Sequence, residues 1–251
     1  MKVKILSILP FWLEDLFRSM RRILFSIAYY GNNRWCPVCE KPSRIFRTSG
    51  LSARKDAMCV HCDALERHRF VWLFFTKMTD LFDGRKKEIL HIAPEKCIES
   101  KLKSKLGKGY ITADLMNRRA MVQMDITDIK YPDEYFDVIY CSHVLEHVKD
   151  DKKAIREFYR IIKKSGWAVI LVPINADKTM EDFSFESAAE RLEHFGQEDH
   201  LRQYGPDFKD RLKEAGFEVK VYSANKLFNN EDCIRMGLTY ASGDIFYCTK
   251  S

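Results

Sequence analysis

Long apolar runs are missing from this 251-residue chain. No stretch approaches the ~20 residues needed to cross a bilayer, so the sequence offers no transmembrane segment. Internal repeats and low-complexity tracts are also absent, which excludes a repeat array and wholesale disorder. The apolar start after Met-Lys-Val-Lys imitates an export signal. However, Glu14 and Asp15 interrupt it, and no small-residue cleavage site precedes Arg18, Arg21 and Arg22. A cytoplasmic protein is expected. Charge of a single sign is lacking over most of the chain: 42 Lys and Arg face 36 Asp and Glu, for a net +6. The excess sits in residues 1–72, with 13 basic and 6 acidic side chains against 29 and 30 in the remainder. A basic first third and a neutral remainder suggest two units with different partners.

What is present fits a globular protein: 46% hydrophobic and 31% charged residues, enough to fill a sizeable core. Of eight cysteines, four form Cys36-Pro-Val-Cys39 and Cys59-Val-His-Cys62, while Cys97, Cys141, Cys233 and Cys248 are scattered in apolar surroundings. That distribution fits metal binding in a reducing compartment better than a disulfide framework. Two knuckles separated by nineteen residues can supply four thiolates in a tetrahedron, the closed geometry of structural zinc. One Zn2+ on Cys36, Cys39, Cys59 and Cys62 is expected, with His61 pointing outward. Nearby Arg34, Arg44, Arg47, Arg54 and Lys55, with Phe46 among them, could face nucleic acid. No stacking series or RNP-type motif accompanies them, so a solvated ribbon face is the plainer reading.

Residues 11–30 carry Phe11, Leu13, Leu16, Phe17, Met20, Ile23, Leu24 and Ile27 mostly on one helical face. That stripe should pack against the protein or, with its arginines, touch an anionic membrane peripherally at the inner face; packing is the commoner fate. The chain thus divides into an amphipathic helical segment (1–33), a zinc-ribbon-like module (34–64) and a larger domain (65–251). In the last, a helix over Ala64–Phe75 precedes an alternation of elements. Strands are expected at Glu88–Ala93, Tyr110–Leu115, Met121–Ile126, Phe136–Ser142, Trp167–Pro173, Phe217–Tyr222 and Asp244–Cys248. Helices are expected at Glu95–Leu106, Asp151–Lys164 and Pro206–Ala215. Apolar strands alternating with helices predict an α/β domain with a doubly wound, mostly parallel, Rossmann-like sheet.

Ligands of such a sheet bind outside the carboxyl ends of the strands. The polar groups there are Asp114, Asp125 and Ser142-His143, after a strand-to-helix turn at His91-Ile-Ala-Pro-Glu95. Tyr135–Val148 (YFDVIYCSHVLEHV) and Ala154–Leu171 are similar to the fourth-strand, helix and fifth-strand block of class I S-adenosylmethionine-dependent methyltransferases of the small-molecule branch. The Cys-x-x-Cys region with Leu65-Glu-Arg-His-Arg69, and the run Phe195–Gly205 (FGQEDHLRQYG), resemble a bacterial subgroup with a zinc ribbon ahead of the catalytic domain. Residues 34–250 are covered.

The resemblance implies a cofactor, S-adenosylmethionine, leaving as S-adenosylhomocysteine. It assigns the ribose hydroxyls to Asp114 with Leu115 beside it, the adenine to Asp125 and Ile126, and the methionine portion to His91, Ala93 and Glu95. Ser142 and His143 would floor the site. The family's first loop is glycine-rich with an acidic residue at the position of His91; this chain departs from both features. His143-Val-Leu-Glu146-His147 also matches the H-x-x-E-H of inverted zinc proteases, but a buried strand runs into it and Lys149-Asp150-Asp151 breaks the chain after it. An oxygen of a small-molecule or glycan acceptor is the expected methyl acceptor, with His143, Asp199 or His200 as catalytic base. The polar residues 175–204 are expected to form an acceptor-side lid, with Asp199 and His200 facing the methyl group. The competing readings are a non-catalytic scaffold on a degenerate methyltransferase fold and a nucleic-acid methyltransferase using the basic ribbon.

Overall fold

The computed structural model describes residues 11–50 and 53–250. The signal-like start at residues 1–10 lies outside the described residues. The chain forms two compact units, one of residues 1–73 with 228–242 and one of residues 74–227 with 243–251. Among the described residues, no helix is long and apolar enough to cross a membrane.

The first unit opens with α1 (Phe11–Ala28) and continues as two antiparallel hairpins, β1 (Arg34–Cys36) with β2 (Lys41–Ser43) and β3 (Arg47–Ser49) with β4 (Arg54–Met58). The apolar stripe of α1 does not pack as expected: Leu16, Phe17, Met20, Ile23, Leu24 and Ile27 are all exposed. The helix is held instead through its other side. Arg21 pairs with Asp63 at 2.9 Å, Ser26 Oγ meets His61 Nδ1 at 2.9 Å, and Arg47 lies 4.4 Å over the Phe25 ring. The basic ribbon is largely neutralised from within, Arg34 by Asp56, Arg47 by Asp63 and Arg54 by Glu66. Phe46 is buried under the Arg69 guanidinium, so it has no face to offer a base.

Arg69 is the hub of this unit. It starts the second turn of α2 (Glu66–Met78) and is fully buried, donating to the carbonyls of Ala57, Ala64, Met236 and Gly237 at 2.7–2.9 Å. A buried guanidinium is tolerable only when its donors are this well used. Gly237 ends the helix Asn230–Met236 at φ 61°, and a Cβ there would meet Arg69 Nη2 and the Phe46 ring at 2.9 Å.

The second unit is a seven-stranded sheet. Its strands in chain order are β5 (Ile89–Ile92), β6 (Tyr110–Asp114), β7 (Val122–Gln123), β8 (Phe136–Ser142), β9 (Ile162–Leu171), β12 (Phe217–Ser223) and β13 (Asp244–Lys250). The spatial order is β12-β13-β9-β8-β5-β6-β7, all parallel except β13, which runs antiparallel to both neighbours. This is the doubly wound sheet that the alternation predicts. On one face Leu90, Ile139, Cys141 and Ile170 pack with Ile155 and Phe158 of α4 (Asp151–Ile161) and Phe208 and Leu212 of α6 (Phe208–Glu214). On the other, an aromatic layer joins Phe75, Tyr140, Trp167 and Tyr247, with ring centroids 5.2–6.1 Å apart. Such contacts add to area burial.

Several boundaries differ from expectation, the helix expected over Ala64–Phe75 running from Glu66 to Met78 among them. The helix drawn to Lys164 stops at Ile161, because Glu134 N and Tyr135 N take the carbonyls of Arg160 and Ile161, and the chain enters β9 at once. Gly166 lies within β9 at a point of close approach, where a Cβ would sit 2.7 Å from Asp137 O. The strand expected over Met121–Ile126 pairs only at Val122–Gln123, because Asp125 Oδ1 accepts from Thr127 N and turns the chain. Residues 175–204 are not a bare loop. They hold β10 (Met180–Glu181) paired with β11 (Arg202–Gln203), and between them α5 (Ala188–Phe195), begun by a Ser187/Glu190 capping box.

Candidate active site

The chain winds outward from β5 through β6 to β7, then returns to β8 on the other side and winds to β9. The crevice at that reversal is where ligands of open α/β sheets bind. Both loops leaving it contain a non-glycine residue in the left-handed region, Ala93 at φ 49° after β5 and His143 at φ 55° after β8. Each conformation costs about 1–3 kcal/mol, and such strain clusters at functional sites. The first loop therefore makes its turn without the glycine that usually provides it.

The predicted cofactor residues divide into those on the crevice rim and those beneath it. His91 lies beneath. Its ring is fully buried 4.5 Å from that of Tyr140, with Nδ1 2.7 Å from Tyr110 Oη and Nε2 3.0 Å from Glu95 Oε2. Tyr140 Oη donates to the other Glu95 oxygen at 3.3 Å, so the Glu95 carboxylate is fixed from two strands. Asp114 ends β6 half-buried, and its Oδ1 accepts from Met116 N and Asn117 N at 2.8 and 2.7 Å. Leu115 beside it is exposed. Asp125 is exposed in its turn, while the Ile126 side chain belongs to the core. Ser142 is only 4% exposed, and its Oγ has no hydrogen-bond partner among the described residues. An orphaned buried hydroxyl at this strand end suits a ligand that would complete it.

Next to Ser142 the structure gathers a cluster that the sequence reading names only in part. Glu146 lies in the single 3₁₀ turn Leu145–His147 and is 0% exposed. His143 Nδ1 is 3.3 Å from its Oε1. Burial pushes the Glu146 carboxyl up, but His143 and the nearby His147 more than offset this and hold it below its ordinary value. His200, 4% exposed, presents its ring 4.8 Å from that of His147. The expected Asp199–His200 pair is thus split. His200 is buried beside His147, whereas the largely exposed Asp199 lies with Oδ2 3.4 Å and its carbonyl 3.1 Å from His147 Nδ1. Glu146 and His147 were visible in the sequence only as the protease-like H-x-x-E-H. Nothing there showed that the glutamate would be buried or that His200 would join it.

Arg202 holds this arrangement. It is fully buried and donates from Nη1 to the carbonyls of Leu145 and Val148, and from Nη2 to that of Lys149. Its Nε donates to Glu181 at 3.0 Å. The turn bearing Glu146 and His147 is thereby pinned to β10 and β11.

In the first unit, the four cysteine sulfurs lie within 4.8 Å of one another, with Cys36–Cys62 at 3.6 Å and Cys39–Cys59 at 3.7 Å. A zinc tetrahedron with ~2.3 Å Zn–S bonds has edges of about 3.8 Å. Each knuckle closes through an amide returning to its first cysteine, Glu40 N to Cys36 O and Asp63 N to Cys59 O, with Glu40 and Asp63 at φ 58° and 61°. His61 points away, toward Ser26 and the Pro42 carbonyl, as expected.

Residues 100–170 match a family described as a methyltransferase domain. The chain is similar to ajmaline N-methyltransferase of Rauvolfia serpentina, 27% identical over 122 residues, covering 46% of this chain and 42% of that protein. It is also similar to a ubiquinone/menaquinone biosynthesis C-methyltransferase of Vibrio campbellii, 28% identical over 116 residues, covering 40% of this chain and 45% of the other. The chain spans less than half the length of these curated relatives. Among solved structures, an S-adenosylmethionine-dependent methyltransferase from Mesorhizobium loti shares the fold, with a TM-score of 0.51 at 11% identity over 70% of this chain and 96% of that one. The matched segment runs from within the helix Lys96–Leu106 to Ile170, one residue short of the end of β9, through strands that rim the crevice. The second unit has the fold of an S-adenosylmethionine-dependent methyltransferase, and its residues 100–170 match a methyltransferase domain family.

Proposed function

We propose that the protein transfers a methyl group from S-adenosylmethionine to an oxygen of a small-molecule or glycan acceptor. The observation that carries this reading is the rim of the crevice, where Asp114 and the unpartnered Ser142 hydroxyl stand at the ends of β6 and β8. S-adenosylmethionine supplies a methyl group already activated by a cationic sulfur. The protein's task is then alignment and exclusion of water. Asp114 would accept the ribose hydroxyls through Oδ2, which has no partner among the described residues. Leu115, Asp125 and the Ile126 backbone would border the adenine. Ala93 and Glu95 would line the methionine portion. Held by His91 and Tyr140, Glu95 supplies the negative charge that the family places on the first strand. His143 and His200 stand on the acceptor side, with Asp199 orienting His147. The two curated relatives methylate nitrogen and carbon by name, so the preference for oxygen rests on these histidines alone.

One structural zinc on Cys36, Cys39, Cys59 and Cys62 completes the proposal, since the sulfur spacing matches the tetrahedron. The internal pairing of Arg34, Arg47 and Arg54 speaks against a nucleic-acid acceptor. A cytoplasmic protein touching the inner membrane face through α1 is consistent with that helix's exposed apolar side.

Calorimetry with S-adenosylhomocysteine tests the core of this reading. Wild type should bind, and Asp114→Ala should bind roughly ten- to a hundredfold more weakly, the worth of about 1.5–3 kcal/mol for a charge-assisted hydrogen bond. Asp114→Asn keeps an acceptor for the Met116–Asn117 turn while removing the charge, so an equal loss there separates ligand contact from loop folding. No binding by wild type would favour the non-catalytic scaffold.

A further inference from the structure

We infer that Glu146, His147 and His200 hold a divalent transition-metal ion, Zn2+ by the chemistry of the set, on the acceptor side of the crevice. The ligand atoms of the three residues lie within 4.8 Å of one another. Two imidazoles and one carboxylate form a catalytic zinc set that leaves a position open, and nitrogen donors disfavour magnesium and calcium.

Two independent observations point to a cation here. The first is Glu146 itself: fully buried, with no hydrogen-bond partner for either carboxylate oxygen among the described residues beyond the 3.3 Å approach of His143 Nδ1. An ionised carboxylate out of water is costly without a paired charge. His143 Nδ1 at 3.3 Å is its nearest compensation, and that histidine supplies positive charge only when protonated. The second is the support behind His147, whose Nδ1 faces both the carbonyl and the carboxylate of Asp199 at 3.1 and 3.4 Å. A ring whose Nδ1–H is held by a carboxylate or carbonyl is oriented to ligate through Nε2. Arg202 fixes the backbone carrying two of the ligands, and His200 enters from the chain just before β11.

The 4.8 Å limit is wider than the ~3.4 Å ligand separation of a tetrahedral nitrogen and oxygen site. Any closing needed to reach that separation falls to the His147 side chain, which is 34% exposed and has room to turn. The neighbouring His143 side chain is 30% exposed. The role of the ion rests on the methyl-transfer reading, although its binding does not. A coordinated hydroxyl loses its proton near neutral pH, as water on zinc does at about pH 7. The proton passes to solvent by way of His143. The oxygen forms a bond to the methyl carbon as the carbon–sulfur bond breaks, and the sulfur keeps that electron pair.

Elemental analysis of the full chain, purified without chelator and equilibrated with Zn2+, reads the site directly. Wild type should hold two ions per chain, and Glu146→Gln and His200→Asn should each hold one. A Co2+ titration adds a spectroscopic check: the equivalent lost in these variants should show ligand-field bands without thiolate charge transfer. Metal content in Glu146→Gln and His200→Asn equal to wild type would overturn the site, as would a wild type whose only ion is lost in Cys59→Ser. S-adenosylhomocysteine affinity, measured in parallel, should stay within a few-fold of wild type in both variants. That measurement controls for folding. If wild type does not bind S-adenosylhomocysteine, the methyl-transfer reading fails by itself and leaves the metal count to be judged separately.

Discussion

Replacing Cys59 by serine should remove one zinc per chain and unfold the first unit while the sheet of the second unit remains. Binding of structural zinc is worth about 10–16 kcal/mol in small domains and is drawn from folding itself. Three of its four strands are only three residues long, and the buried apolar side chains of the knuckle and hairpin segments are few, Val38, Phe46, Ala57, Val60 and Ala64. A module of that size does not bury enough apolar area to fold unaided. Cys59 is also the knuckle's anchor, since its carbonyl accepts from Asp63 N and its amide donates to Ala64 O. Losing it would release Asp63 from Arg21 and His61 from Ser26, freeing α1. Limited proteolysis should cut variant chains between residues 30 and 65, and elemental analysis should find one zinc fewer. Unchanged zinc content would show that the four sulfurs are neighbours without being ligands.

How much of this was legible in the sequence depends on the range of the interaction responsible. Phe136–Ser142 is a strand at the expected bounds because a short apolar run, Val138–Cys141 with Phe136 before it, leaves few alternatives between its turn-forming flanks. The four cysteines were legible because ligand spacing is a local property. The end of α4 was not, since it is set by the amides of Glu134 and Tyr135, some 25 residues earlier. Nor was the fate of the α1 stripe: its period gives a helix with an apolar face but says nothing of what lies opposite. At the site, Asp114 and Ser142 were named from their strand ends. The neighbour of Glu146 was hidden, because His200 lies 54 positions on, and it is the Leu201 N to Glu146 O bond and the Arg202 contacts that bring the two segments together. Arg202 was missed for the same reason; a lone arginine in a polar segment reads as solvated until its carbonyl partners are known.

Arg202→Met should therefore be among the most damaging single changes in the second unit. Methionine matches the stem and fills the space, but the carbonyls of Leu145, Val148 and Lys149 lose their donor, and Glu181 loses one of its two arginines. Removing one partner from a buried charged network costs roughly 3–5 kcal/mol, because the remaining groups stay buried and unpaired. In a domain of this size that corresponds to a fall of roughly 6–20 °C in melting temperature. The acid limb gives a second reading. Burial pushes the Glu181 carboxyl up, yet Arg211 and Arg202 outweigh it and hold the group below its ordinary value. A carboxyl lowered in the folded state contributes stability above its unfolded pKa of about 4.3, lost as pH falls through the folded value. Wild type should accordingly lose stability below about pH 4, and Arg202→Met, starting lower, should lose less across that window. Arg202→Lys separates charge from geometry: it keeps the cation but not the fork, and the lost carbonyl contacts should leave its melting temperature between wild type and the methionine variant. Methyl transfer should fail in Arg202→Met even well below its melting temperature, because the turn that carries Glu146 and His147 is no longer fixed against His200. Full activity and an unshifted melt in Arg202→Met would show that the turn holds its own shape and that the buried guanidinium is incidental to the site.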